Sequence, residues 1–115
     1  MRQEEIVFNV ELDDDNIPEK IKWKSAVEDN AELSETKAIS LSLWDHMQKN
    51  TMRIDLWTKD MPVEEMKKFY IDSIGGLAQS LLTATGDEYM AGEMNELCEK
   101  LVAYLKKDLD SKNQS

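Results

Sequence analysis

The sequence predicts an α+β domain: a four-stranded antiparallel sheet made of two hairpins, followed by two C-terminal helices packed on one face. Three observations carry that expectation. Residues 4–57 alternate apolar and polar side chains with a period of two, whereas residues 63–109 follow a helical period. Clusters of Asp, Asn, Pro and Gly fall between the periodic runs, where turns need them. Strands followed by helices, rather than alternating with them, favour an antiparallel sheet with helices on one side. At 115 residues the chain is the size of one domain, spanning 1–115.

The first strand places Ile6, Phe8, Val10 and Leu12 on one face and Val7, Asn9 and Glu11 on the other. Asp13-Asp14-Asp15-Asn16, followed by Pro18, is a turn signal built on Asx hydrogen bonding. In the second strand Ile21 and Trp23 interleave with Lys20, Lys22 and Lys24. Such a lysine-lined outer face also suits a sheet edge, where charge discourages edge-to-edge pairing. The polar stretch Val27–Glu35 reads as a loop. Ile39, Leu41 and Leu43 then alternate with Ala38, Ser40, Ser42 and Trp44, and Met52, Ile54 and Leu56 with Thr51, Arg53, Asp55 and Trp57. The short polar link Asp45–Asn50 makes these last two strands a hairpin.

A first helix is expected over about residues 62–85, opened by Pro62 and the acids Glu64 and Glu65, which suit the positive end of the helix dipole. Met66, Tyr70, Ile74, Leu77 and Leu81 form its apolar stripe. Gly75-Gly76 in its middle costs helix stability, so a close approach to a neighbour or a kink is expected there. Gly86 ends this helix, and Asp87 caps a second one over about 87–109. Met90, Met94, Leu97, Leu101, Tyr104 and Leu105 form its stripe, and residues 110–115 are expected to fray.

Lys and Arg number 14 and Asp and Glu 24, giving a net charge of −10. That balance disfavours nucleic acid and anionic lipid surfaces and favours solubility or a basic partner. No apolar run approaches the roughly 18 residues of a membrane helix, and no basic-then-apolar leader opens the sequence. The expected location is therefore the cytoplasm, with any membrane association made through a partner protein rather than by direct insertion. One cysteine excludes an intramolecular disulfide.

Catalytic and cofactor signals are absent from the expectation. His46 sits beside Asp45 in a turn with no marked nucleophile, and Cys98 has Glu96 and Glu99 beside it, which disfavour a thiolate. The Asp13–Asn16 cluster lacks the ligand spacing and central glycine of a calcium loop. No metal, cofactor or catalytic residue is assigned. Trp44 and Trp57 are the conspicuous residues: both fall on the opposite parity from their strands' aliphatic side chains. They are expected on the face away from the helices, forming an exposed aromatic patch for a partner. The lysine row Lys20, Lys22 and Lys24 is the second candidate contact.

The stretch Met52–Tyr70, with Asp55-Leu56-Trp57-Thr58-Lys59-Asp60-Met61-Pro62 at its centre, resembles the gliding motility-associated protein C (GldC) family of Bacteroidota. Glu5–Phe8, Ile17–Trp23 and Lys37–Asp45 resemble it in order and spacing, so the resemblance covers roughly residues 5–105. It implies a small accessory protein of gliding or of envelope assembly, with protein partners and no established catalytic residues. By layout alone, four strands then two helices in an acidic protein is also similar to SecB-type export chaperones. That likeness gives an alternative expectation, a homo-oligomeric holdase for exported proteins.

Overall fold

The computed structural model describes residues 2–25 and 32–113. The chain divides into two compact units, Met1–Pro62 and Val63–Ser115. The first holds β1 (Ile6–Leu12), β2 (Pro18–Ser25), β3 (Ser34–Thr36), β4 (Ala38–Trp44) and β5 (Thr51–Trp57). The second holds α1 (Val63–Thr85) and α2 (Glu88–Asn113).

The α+β class holds, with two helices after the strands, but the expected four-stranded sheet is replaced by two sheets. One is three-stranded in the order β1-β2-β3, and the other is the β4-β5 hairpin. The segment 34–44, expected as the end of a loop followed by one strand, forms two strands separated by a bend at Lys37. Its first part pairs with β2 and its second with β5. Backbone bonds from the end of β5 fix that corner. Thr58 N–H donates to Lys37 O at 2.9 Å, and Lys59 N–H donates to Pro18 O at 3.0 Å. Ser34 and Glu35 thus leave the expected loop and form β3 with Thr36, while residues 27–31 of that loop lie outside the described residues.

This arrangement also corrects the reading of β2 as an edge. It is the central strand of its sheet, with β1 on one side and β3 on the other. Two of its three lysines lie opposite acids across the ladders, Lys20 opposite Glu11 and Lys22 opposite Glu35, while Lys24 lies opposite Val7. On the other face Trp23 lies opposite Phe8, and Ile21 opposite Val10. Ile21 is completely buried.

The turns follow their sequence chemistry. Asp13 Oδ1 accepts from Asp15 N at 2.8 Å and Ile17 N at 3.0 Å, closing the β1–β2 turn as an Asx turn. Asp45 Oδ2 accepts from Met47 N and Gln48 N in the β4–β5 link. In the helical unit, Gly86 adopts φ +72°, the left-handed conformation that ends α1, and its N–H donates to Leu82 O at 2.8 Å. Asp87 Oδ1 accepts from Met90 N at 2.9 Å, capping α2.

Two helix expectations change. Helix α1 runs unbroken through Gly75-Gly76, and no atom stands within 4 Å of where a Gly76 Cβ would lie. Neither a kink nor a close approach accounts for that glycine. Residues 110–113, expected to fray, continue α2, where Lys112 reaches Asp108 at 3.4 Å and Glu64 at 3.7 Å. Among the described residues of this unit, Ala78 and Ala91 are buried.

Candidate interaction surface

The β4–β5 register assigns each side chain to a face. Ile39, Leu41 and Leu43 share one face with Leu56, Ile54 and Met52. The opposite face carries Ser40, Ser42 and Trp44 from β4, and Arg53, Asp55 and Trp57 from β5. Both tryptophans therefore lie off the aliphatic face, Trp44 66% exposed and Trp57 45% exposed. They do not form one patch. Trp57 pairs with Ala38 and Trp44 with Thr51, at opposite ends of the hairpin. Six strand positions separate them, roughly 20 Å.

A polar grid fills the space between. Arg53 straddles Asp55, its Nε 3.2 Å from Oδ2 and its Nη2 2.9 Å from Oδ1. The same guanidinium donates to Ser40 Oγ at 2.6 Å and to Ser42 Oγ. Ser40 Oγ–H in turn donates to Asp55 Oδ1 at 2.7 Å. The Arg53 guanidinium and then the Ser40 hydroxyl hold the Asp55 carboxyl below its ordinary pKa. Forked contacts of this kind fix Arg53 in orientation as well as in charge. The face is a preorganised polar strip with an aromatic side chain at each end.

At the Trp57 end the surface is concave. A hollow of about 200 Å³ is lined by Ile17, Pro18, Asp55, Leu56, Trp57 and Lys59. Its floor is held by long-range polar contacts. Lys59 Nζ reaches Asp13 Oδ2 at 3.0 Å and Glu19 at 3.5 Å, tying the end of β5 to the β1–β2 turn. Thr58 is 1% exposed and donates to Asp60 Oδ1 at 2.7 Å. Asp60 Oδ2 receives Lys37 Nζ at 3.1 Å, on the corner where β3 passes into β4. These bonds depress Asp13, chiefly through the Ile17 N–H and then Lys59, and Asp60, chiefly through the Thr58 hydroxyl and then Lys37. They raise Lys59 through Asp13 and Lys37 through Asp60.

Sequence reasoning singled out Trp44, Trp57, Lys20, Lys22 and Lys24, but not Arg53, Lys59, Lys37 or Asp60. The signal for the polar grid was present. Ser40, Ser42, Arg53 and Asp55 share the parity of the tryptophans, and the six-residue link sets Ser42 opposite Arg53 and Ser40 opposite Asp55. The three lysines of β2 stay half-buried in the other sheet, away from the Arg53 strip.

Among the described helices, none is long and apolar enough to cross a membrane. No curated protein and no solved structure matches this chain, and the likeness to SecB-type chaperones is not supported. One family model matches over residues 18–107, that of the gliding motility-associated protein GldC-like family.

Proposed function

Because the chain belongs to the GldC-like family of gliding motility-associated proteins, we propose that it serves that process by binding other proteins, as a non-enzymatic accessory factor. The observation that carries this reading is Trp57. A large aromatic side chain stands 45% exposed on the rim of a concave surface whose backbone is pinned at a corner. Aromatic anchors on rigid ground lose little entropy on association and dominate the energetics of many interfaces. The partner segment this surface suits is apolar with basic flanks, since the chain carries a net charge of −10. Trp44 is a second anchor for an extended partner lying along the Arg53 strip, while Lys20, Lys22 and Lys24 are a separate candidate contact.

The test is recovery of the tagged chain from gliding cells, wild type beside Trp57→Ala, with bound proteins identified by mass spectrometry. One or two stoichiometric partners should be recovered with wild type. Loss of an anchor of this kind costs about 2 kcal/mol or more, roughly a thirtyfold weakening, so the variant should lose them. Its thermal transition should stay close to wild type. Undiminished partners on a folded Trp57→Ala variant would refute the site. A broad set of unfolded envelope precursors would refute the dedicated-partner reading.

A further inference from the structure

The β4–β5 hairpin leaves one strand edge chemically unfinished. Thr58 N–H donates to Lys37 O at one end of the ladder and Asp45 N–H to Asn50 O at the other, both at 2.9 Å. Hydrogen-bonded pairs alternate along an antiparallel ladder, so the odd-numbered residues of β4 bond β5. Ser40, Ser42 and Trp44 turn their backbone N–H and C=O groups the other way. Their sheet holds only β4 and β5, and among the described residues no backbone bond reaches those groups. The outward carbonyl of Ala38 already accepts from Thr36 Oγ1 at 3.2 Å, so the open stretch is Ser40–Trp44.

This edge also lacks the devices that keep strand edges from pairing. Ala38–Trp44 contains no charge, no proline and no glycine, and its register with β5 has no bulge. The strands β1, β3 and β5 each carry charge: Glu11, Glu35, and Arg53 with Asp55. The open end is also the exposed end, with Leu43 49% and Trp44 66% exposed. In a chain of net charge −10, this neutral strand gives a basic segment nothing to pair with, and it is matched in charge by a second neutral strand.

We propose that the occupant is the same strand of a second copy, paired antiparallel about a two-fold axis at Ser42. Reciprocal backbone bonds then join Ser42 to the partner's Ser42, and Ser40 to the partner's Trp44. The two hairpins become one sheet in the order β5-β4-β4-β5, with Leu41 opposite the partner's Leu43 on the aliphatic face. Self-pairing also completes the polar strip. The Arg53 guanidinium donates to both Ser40 Oγ and Ser42 Oγ, so it lies beside this edge. The partner's Trp44, about 5 Å from Ser40 on the same face, is set against that guanidinium as a cation–π contact. The two-fold makes the contact twice. This inference rests on the reading of Trp44 as an anchor for an extended segment along the Arg53 strip, and it names that segment; it does not involve Trp57.

Sedimentation of the purified full chain tests this at about 100 µM, where a micromolar interface is populated. Physiological salt screens the repulsion between copies of charge −10 beyond about 8 Å. The expected species has twice the 13.3 kDa chain mass. Ser42→Pro removes an N–H that points away from β5, so it should stay folded yet sediment as a monomer. Trp44→Ala should weaken the dimer about tenfold and Trp44→Phe less. Trp57→Ala, and Leu77→Glu on α1, should remain dimeric. Hydrogen exchange on wild type reads the ladder directly: the Ser40, Ser42 and Trp44 amides should exchange several-fold more slowly at about 500 µM than at about 5 µM. A wild-type monomer overturns the proposal. So does a dimer retained by folded Ser42→Pro, or one that leaves those three amides unprotected. If the dimer fails while Trp57→Ala still loses its partner proteins, this inference falls and the Trp57 reading stands.

Discussion

Ile21 offers the sharpest test of how the strand unit is held together. It is 0% exposed at the centre of β2, opposite Val10 in β1 and Thr36 in β3. Ile21→Ala removes three carbons from a site with no access to water. Transfer alone costs about 0.8 kcal/mol per methylene, or about 2.4 kcal/mol, and the residual cavity brings the loss to about 3 kcal/mol. In a unit of about 60 residues each kcal/mol moves the melting temperature by about 4–8 °C, so a fall of about 12–24 °C is expected. Ile21→Val deletes one carbon and should cost about 1 kcal/mol. The assay is built into the sequence. Trp23, Trp44 and Trp57 all lie in the strand unit, so tryptophan fluorescence reports its melting. Ellipticity at the helical minimum reports α1 and α2. A fall in the fluorescence midpoint of less than about 4 °C for Ile21→Ala would refute the assignment of Ile21 as the packing centre.

Two further outcomes follow from polar contacts and glycine placement. Asp13, Asp55 and Asp60 titrate below ordinary carboxylates, so their contribution is present above about pH 4 and is lost as pH falls through the lowered values. Lys37 and Lys59 titrate above ordinary lysines, so theirs is present below about pH 10 and is lost as pH rises through the raised values. Asp13→Asn keeps an Oδ1 acceptor for the turn but not the Lys59 ion pair; its melting temperature should fall below wild type at pH 7, and the gap should narrow as pH falls below the ordinary carboxylate range and through the lowered value of Asp13. A gap that persists in acid would assign the effect to the turn instead. Gly76→Ala meets no atom within 4 Å and should stabilise α1 by about 1 kcal/mol, read as a higher midpoint of helical ellipticity. A lower midpoint would show that the glycine is needed where it stands.

What could be read from the sequence was local. Period-two alternation assigned the faces of β4 and β5, and the Asp45–Asn50 link set their register, so the off-face placement of Trp44 and Trp57 was legible. Gly86 and Asp87 marked the helix junction because each meets a local backbone need. The split of the sheet was not legible. Nothing in the alternation of residues 34–44 announces the turn at Lys37, because parity says which way a side chain points and nothing about which neighbour a strand pairs with. The Lys59–Asp13 clamp joins residues 46 positions apart, and in a chain with 24 acids no spacing marks which carboxylate a lysine will find. The tryptophans showed in the pattern as single residues; their separation, and the Arg53 grid between them, emerged only with the register.

The corner at Lys37 also orders events in time. β1–β2 and β4–β5 are hairpins closed by short links, so each can form from neighbours in the chain on the microsecond scale. The bonds that join them, Lys59 to Pro18 and to Asp13, span more than forty residues and gain nothing until both hairpins exist. The corner is thus a late latch. Its strength governs how long the folded strand unit survives rather than how fast it is reached. The stretch Asp55–Pro62, inside the span matched by the family model, contributes Thr58, Lys59 and Asp60 to that latch, so a lifetime is written into a segment of only eight residues.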